Sequence, residues 1–259
     1  MWDFIYGLLC KIQFLFSWRE FTPIQNHTNH VVRVMSYNIK ALFPFYNKLR
    51  IRAIVDYVES LFVENQVDIV CLQEAFELEL YDHLYRVARA NSLNIVHPSL
   101  SRRYYIGENS GLVTISRYPI AEHEFVRHDT SSGLCGLANK GAHYVKCSVD
   151  GRIMNIINTH LQSDNPTIAI RQLARIMDSI ACEKSLLVGD MNMDYEIMRR
   201  NVGDAFCLAN TNKIVTFPED NAQYDYCIHD SWCETRFAVL SDILHSDHYP
   251  VLLTMMLPS

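Results

Sequence analysis

Two polar residues follow a short apolar run in the second half of the chain. Residues 185–188 form a strand-like run, and the sequence continues Gly189-Asp190-Met191-Asn192. Because glycine adopts backbone conformations closed to other residues, Gly189 predicts a sharp turn after the strand. In such a turn a carboxylate and an amide two residues apart can face one crevice and suit a phosphate ester held by a divalent cation. Taken alone, the tetrapeptide fits an ordinary Asx turn equally well.

Acidic, amide and imidazole side chains recur at the points where apolar runs end. They are Asn38, Glu74, His160, Asp190 with Asn192, Asp225, and Asp247 with His248. Strand ends converge on one rim of a sheet, where ligands commonly bind. This repetition predicts one polar site assembled from distant parts of the chain.

The apolar pattern supplies the elements that would position these residues. Helical spacing occurs in residues 48–62, 77–90, 168–182 and 195–201. Strand patterns occur in residues 31–37, 67–72, 111–116, 122–127, 143–149, 152–159, 185–188, 224–229, 236–240 and 249–256, and residues 131–141 are predicted to form a loop. This order predicts a four-layer α/β sandwich, two mixed and mainly antiparallel sheets flanked by helices, in one catalytic domain over residues 31–257.

Composition narrows the class of protein. A chain of 259 residues can form one large α/β domain, and its net charge of −6 provides no overall basic field for nucleic acid. The eight cysteines include no Cys-x-x-Cys pair, which argues against structural zinc and favours a reducing compartment. The sequence leaves open whether one disulfide forms, either between Cys227 and Cys233 or involving Cys207.

The first 25 residues form a hydrophobic and aromatic segment. Among the first 18 residues only Asp3 and Lys11 are charged, and neither a basic start nor a cleavage site is evident. The tryptophans at its ends suit a membrane interface, although a helix packed on the domain would also explain it. We therefore expect an intracellular, membrane-associated protein, with secretion and oligomeric state left open.

Five short motifs together resemble the endonuclease/exonuclease/phosphatase superfamily. They are Ser-Tyr-Asn at 36–38, Leu-Gln-Glu at 72–74, Thr-His-Leu at 159–161, Gly-Asp-Met-Asn at 189–192 and Ser-Asp-His at 246–248. Their order and spacing are similar to those of that superfamily, which implies the deoxyribonuclease I-like fold.

Three further stretches are similar to the neutral sphingomyelinase branch: Thr-His-Leu-Gln-Ser-Asp at 159–164, Asn-Lys-Gly at 139–141, and Phe-Pro through Tyr-Asp-Tyr at 217–226. The last has one residue fewer than the family pattern and lacks its second proline. The apolar hairpin with which secreted bacterial members insert into membranes is not evident, and the N-terminal segment would substitute for it.

The resemblance implies a divalent cation, Mg²⁺ first, with Mn²⁺ or Co²⁺ as alternatives. Such a cation neutralises phosphate charge and activates water. Glu74 is the expected primary ligand, Asn38 an amide ligand or phosphate contact, and Asp247 a support of the metal site or of a second cation.

The same resemblance assigns catalytic roles. His248 is the expected general base, because imidazole titrates near neutrality, and Asp225 would orient it. Asp190 and Asn192 would position the water and a phosphate oxygen. His160 would protonate the leaving alkoxide or bind the phosphate.

The expected function is hydrolysis of sphingomyelin to ceramide and phosphocholine, with a phospholipid substrate and a membrane surface as partners. A nuclease or an inositol-phosphate phosphatase of the same fold is the alternative. An inactive membrane-bound interaction module is a further one.

Overall fold

The described part of the chain contains twelve strands. The computed structural model describes residues 31–42, 48–98, 109–180, 184–230, 232–243 and 245–257. The strands within these ranges are β1 (Val31–Ala41), β2 (Ile69–Ala75), β3 (Asn94–Val96), β4 (Val113–Ser116), β5 (Ile120–Arg127), β6 (Gly141–Val149), β7 (Arg152–His160), β8 (Ser185–Asp190), β9 (Phe206–Leu208), β10 (Asp225–Asp230), β11 (Glu234–Val239) and β12 (Val251–Met256).

Helices connect some of these strands. They are α1 (Lys48–Val63), α2 (Leu78–Ala90), α3 (Pro166–Ile180) and α4 (Tyr195–Asn201), with a short 3₁₀ turn at Gly133–Gly136. Each longer helix buries one face; in α3 the buried apolar side chains fall three or four residues apart, as an amphipathic helix requires: Ala169, Leu173, Ile176, Met177 and Ile180.

The strands form two six-stranded sheets. The first has the order β11-β12-β1-β2-β4-β3 and the second the order β5-β6-β7-β8-β10-β9. The pairs β1–β2 and β7–β8 are parallel, and the remaining pairs in the described residues are antiparallel. Each parallel pair is joined by a helical crossover, as parallel strands require.

Three apolar clusters divide the molecule into four layers. One lies between α1, α2 and the first sheet, one between the two sheets, and one between the second sheet and α3 with α4. Cys71, Cys147 and Cys227 are buried between the sheets as small apolar side chains. The predicted four-layer sandwich is confirmed.

Some local expectations need correction. The strands β3 and β9 were not predicted, because three residues are too few to show a strand pattern. The expected loop at residues 131–141 contains the 3₁₀ turn. Cys207, Cys227 and Cys233 are all free thiols.

The N-terminal segment, residues 1–25, lies outside the described residues, and no helix in the described ranges is long and apolar enough to cross a membrane.

Gly189 does not make the predicted turn. It lies inside β8 with a φ of +146°, and the strand continues to Asp190. A Cβ at this position would lie 1.9 Å from the backbone oxygen of Thr159 in β7. The glycine therefore permits β7 and β8 to approach closely, and the turn follows at Asn192, whose φ is +50°.

Candidate active site

Strand register brings the predicted site residues to one rim of the sandwich. His160 pairs with Asp190 across the parallel strands β7 and β8, and Asp225 of β10 pairs with Asp190 on its other side. In the first sheet the parallel pairing of β1 with β2 sets Asn38 opposite Gln73, the residue before Glu74. Asn38 and Glu74 were expected after their strands but lie within them.

The Asn38 amide joins the two sheets at this rim. Its Nδ2 donates to Glu74 Oε1 at 3.1 Å and to Asp190 Oδ2 at 2.9 Å. Glu74 has a φ of +54°, which is unusual for a residue with a side chain and is found mainly where the surroundings enforce it. The two carboxylates are therefore held on either side of one neutral amide.

His248 lies between two carboxylates. Its Nδ1 is 2.8 Å from Asp225 Oδ2, and its Nε2 is 3.6 Å from Asp190 Oδ2. Burial lowers the pKa of His248, but the attraction of Asp225 and Asp190 outweighs it and raises this pKa to about 10. Burial raises the pKa of Asp190 to about 6, against the opposing effect of His248.

His160 has a different environment. Lys140 Nζ lies 2.9 Å from His160 Nε2 and donates to the Leu161 carbonyl at 2.8 Å. An ammonium group has no acceptor, so His160 Nε2 accepts this hydrogen bond and its proton resides on Nδ1. Burial, then the charge of Lys140, hold the pKa of His160 well below its ordinary value, so this imidazole is neutral.

Asn192 and Asp190 form the Asx turn that the tetrapeptide also suggested. The Asn192 backbone N–H donates to Asp190 Oδ1 at 2.9 Å, and its side-chain amide donates to the Leu161 carbonyl at 3.1 Å. The turn thus fixes one oxygen of Asp190, while the other faces Asn38 and His248. An Asx turn and a polar site coexist at this position.

Asp247 pairs with a lysine at the end of β1. Its Oδ2 accepts from Lys40 Nζ at 2.5 Å, and Lys40 follows Asn38 by two residues at the end of β1. The bond to Lys40 lowers the pKa of Asp247, although burial acts in the opposite direction. Its role in holding a metal stays a prediction.

The donor set fits a divalent cation. One atom from each of Glu74, His160 and Asp190 lies within 4.8 Å of the other two, and Asp190, Asp225 and His248 form a second such group. Glu74 and Asp190 offer the carboxylate oxygens that hard cations such as Mg²⁺ prefer, and an imidazole nitrogen would also suit Mn²⁺ or Co²⁺.

Several supporting residues could not be identified as such from the sequence. Gln73 Nε2 donates to Asn158 Oδ1 at 2.8 Å, and Asn158 Nδ2 donates to backbone carbonyls of the facing sheet, which locks the two sheets together beneath the rim. Arg50 donates to the carbonyls of Lys40 and His245, which ties β1 to the loop before His248. Gln73 lay in a recognised motif; the others carried no local signal.

The chain belongs to the endonuclease/exonuclease/phosphatase family, whose family model matches residues 35–248. This confirms the predicted superfamily. The chain is 27% identical over 247 residues to a protein named sphingomyelinase C 2 from Leptospira interrogans, covering 78% of this chain and 39% of that protein. It is 26% identical over 223 residues to a sphingomyelinase C from Listeria ivanovii, covering 76% of this chain and 64% of that protein.

Solved structures share the fold at low identity. SmcL aligns with a TM-score of 0.69 and 22% identity, covering 87% of this chain and 99% of that one. A Staphylococcus aureus beta toxin with bound magnesium ions aligns at 0.67 and 20%, covering 86% and 98% of the two chains. Truncated TDP2 from Caenorhabditis elegans aligns at 0.68 and 20%, covering 87% and 97%. These likenesses establish the fold alone.

Proposed function

We propose that this chain is a divalent-metal-dependent phosphodiesterase that hydrolyses sphingomyelin to ceramide and phosphocholine. The observation that carries the proposal is the line of contacts from Asp225 through His248 to Asp190, beside the carboxylate of Glu74. Metal-dependent phosphodiester hydrolysis requires a general base, here oriented by a carboxylate, next to oxygen ligands for the cation.

Glu74 and Asp190 would hold the cation, with Asn38 between them. When bound, Mg²⁺ would neutralise the phosphate charge, activate water and offset the carboxylates that raise the pKa of His248. The Asn38 amide fixes the separation of the two carboxylates, so that little reorganisation is needed on binding. Asp247 would support this site through Lys40 and the end of β1.

His248 would accept the proton of the attacking water at Nε2. Its Nδ1–H donates to Asp225, which fixes the tautomer and stabilises the imidazolium that forms. Water adds to phosphorus, the ester bond to the ceramide oxygen breaks, and that oxygen takes up a proton. Asn192 would help to position the phosphate.

His160 would contribute on the leaving-group side together with Lys140. A neutral His160 that accepts from an ammonium group is not itself a ready acid. The Lys140–His160 pair can instead bind a phosphate oxygen or pass a proton from Lys140 to the leaving alkoxide. This assignment refines the role that the sequence suggested for His160.

Sphingomyelin is favoured as substrate by the names of the curated relatives, although the chain spans only 39% and 64% of their lengths. A nuclease of the same fold is the second candidate. The net charge of −6 disfavours it, since nucleic-acid binding depends on neutralising phosphates with basic side chains. Residues 1–25 would provide contact with the membrane that presents the lipid.

The test is a substrate panel with metal control. The protein, stripped with a chelator and then supplied with Mg²⁺, Mn²⁺ or Co²⁺, is incubated with sphingomyelin vesicles, supercoiled DNA or inositol polyphosphates. We expect metal-dependent release of phosphocholine only. Cleavage of DNA alone would refute the lipid substrate, and no turnover of any substrate with any metal would favour a non-enzymatic module.

A further inference from the structure

An aromatic surface begins directly beside His248. The ring centroid of Phe217 lies 4.8 Å from that of His248, with the two planes inclined by 56°. The Tyr224 ring continues this surface, 5.5 Å from Phe217 and inclined by 41°. Phe217 and Tyr224, which we call the aromatic wall, are both partly exposed. The aromatic wall therefore places partly exposed aromatic side chains beside His248.

The backbone holds the aromatic wall in place. Phe217 and Ala222 exchange two backbone hydrogen bonds of 3.0 and 3.1 Å, which close a tight loop. Buried Thr216 accepts from the backbone N–H groups of Tyr224 and Asp225 through its hydroxyl oxygen, at 3.0 and 3.1 Å. The Tyr224 carbonyl in turn accepts from the N–H of Met191 at 2.7 Å. The wall is thus fixed to the Asp190 turn before any ligand binds.

Carboxylates lie near the Tyr224 end of the aromatic wall. The Tyr224 hydroxyl donates to Asp220 Oδ2 at 3.2 Å, and Asp220 is exposed. The pKa of Tyr224 is raised by burial, then by Asp220, Asp190 and Asp194. Lys213, the basic side chain that pairs with Asp194 in the described residues, lies 3.7 Å from that carboxylate. Asp220 therefore places a negative charge beside the Tyr224 ring.

We propose that the aromatic wall and Asp220 form a subsite for the quaternary ammonium group of a phosphocholine head. A trimethylammonium group cannot donate hydrogen bonds, so ring faces with a nearby carboxylate are the surroundings that recognise it. Two carbon atoms join the ammonium group to the phosphate. A phosphate bound at His248 would therefore place the ammonium group near Phe217, whose ring lies next to that of His248. The inference rests on the proposed function, because it assumes phosphate bound at His248.

The test compares two lipids that differ in three methyl groups, sphingomyelin and ceramide phosphoethanolamine. We expect the wild-type enzyme to prefer sphingomyelin in kcat/KM, and Phe217→Leu to reduce that ratio by roughly tenfold, the size of a desolvated cation–π contact. Asp220→Asn should reduce the ratio about threefold. Tyr224→Leu should reduce it more than Tyr224→Phe, which retains the ring.

Tyr144→Leu provides the matched control, since Tyr144 is a partly exposed tyrosine of β6 whose hydroxyl bonds Ser179 of α3 and whose side chain packs on the helix-covered face of the second sheet. It should leave the preference unchanged. Equal losses on both lipids in Phe217→Leu would overturn the subsite, because Phe217 would then act only by supporting His248. A wild-type enzyme without preference would overturn it as well.

Failure of the proposed function gives a different pattern. If the wild-type protein hydrolyses neither lipid but cleaves bis(p-nitrophenyl) phosphate or DNA, the sphingomyelinase proposal fails. The subsite is then tested by calorimetric titration with phosphocholine and phosphoethanolamine. If phosphocholine binds more tightly than phosphoethanolamine and Phe217→Leu abolishes this difference, the subsite is supported. Equal binding of the two compounds to the wild-type protein would refute it.

Discussion

Replacing Gly189 with alanine should disrupt the site without removing a polar group. The added Cβ would lie 1.9 Å from the Thr159 carbonyl oxygen and 2.9 Å from its carbon. Both atoms belong to the backbone of β7, so no flexible side chain can move aside. β7 and β8 must separate, and the neighbouring residues His160 and Asp190, whose Nε2 and Oδ2 are 3.5 Å apart, must separate with them.

Two costs add at this position. Inserting a methyl group into a packed interior costs about 1–3 kcal/mol. Holding alanine at a φ of +146° costs roughly 1–3 kcal/mol more, because side-chain-bearing residues rarely adopt this conformation. We therefore expect Gly189→Ala to lower the free energy of unfolding by about 2–6 kcal/mol. Metal-dependent turnover should fall more steeply than the folded fraction, since the carboxylate and imidazole move apart.

Two other glycines separate these costs. Gly151 has a φ of +79° but no atom within 4 Å of a built Cβ, so Gly151→Ala carries the conformational cost alone, about 1 kcal/mol. Gly203 has open space as well and no left-handed φ, and Gly203→Ala should change stability by less than about 0.5 kcal/mol. Urea unfolding of the three variants, with turnover measured in parallel, provides the comparison. If Gly189→Ala is no less stable than Gly151→Ala, the close approach of β7 and β8 is not what requires glycine.

Three further predictions concern the active site, acid stability and the N-terminus. Glu74→Ala or His248→Ala should each reduce metal-dependent phosphodiesterase activity at least about a hundredfold; a near-wild-type rate would contradict the role assigned to that residue. Burial lowers the pKa of His97 to about 4 and that of His143 to about 3. Below pH 6.5 these two histidines therefore bind protons in the unfolded chain but stay neutral in the folded one. Unfolding free energy should therefore fall between pH 6.5 and 4, by up to about 3 kcal/mol for each group, and His143→Gln should flatten this profile in urea titrations at stepped pH. Deleting residues 1–25 should weaken sedimentation with sphingomyelin vesicles, and unchanged binding would refute membrane contact by that segment.

The sequence was informative wherever a site residue depends on strand position. Asn38, Glu74 and His160 were expected near strand ends, and the position of a strand end is largely fixed once the order of strands in the sheet is set. Their convergence on Asp190 could therefore be predicted from apolar runs and the polar residues that follow them. Strand length was harder to predict. β1 continues past Asn38 to Ala41 and β2 past Glu74 to Ala75, and each includes one residue of positive φ, Lys40 and Glu74, that no local pattern marks.

Contacts from loops were not predictable in the same way. The pairing of Lys40 with Asp247 joins residues 207 positions apart, and that of Lys140 with His160 depends on the loop before β6 returning to the rim. Lys40 lies in no pattern that distinguishes it from a solvated surface residue, whereas Lys140 lies in the Asn-Lys-Gly motif at 139–141 and was expected to hold a loop near the site by hydrogen bonding. The partners of both lysines, Asp247 and His160, became visible only from packing, which sequence periodicity does not encode.

The distribution of charge at the rim supports the proposal that the Glu74 carboxylate anchors a cation. The other carboxylates face a basic nitrogen: Asp247 faces Lys40, and Asp225 and Asp190 face His248. Among the described residues Glu74 instead meets the neutral amide of Asn38 and, at 3.9 Å, the imidazole of His160, which burial and Lys140 keep neutral. A partly buried carboxylate beside neutral groups is costly unless positive charge reaches it. A divalent cation shared with Asp190 would supply that charge where the phosphate must be neutralised.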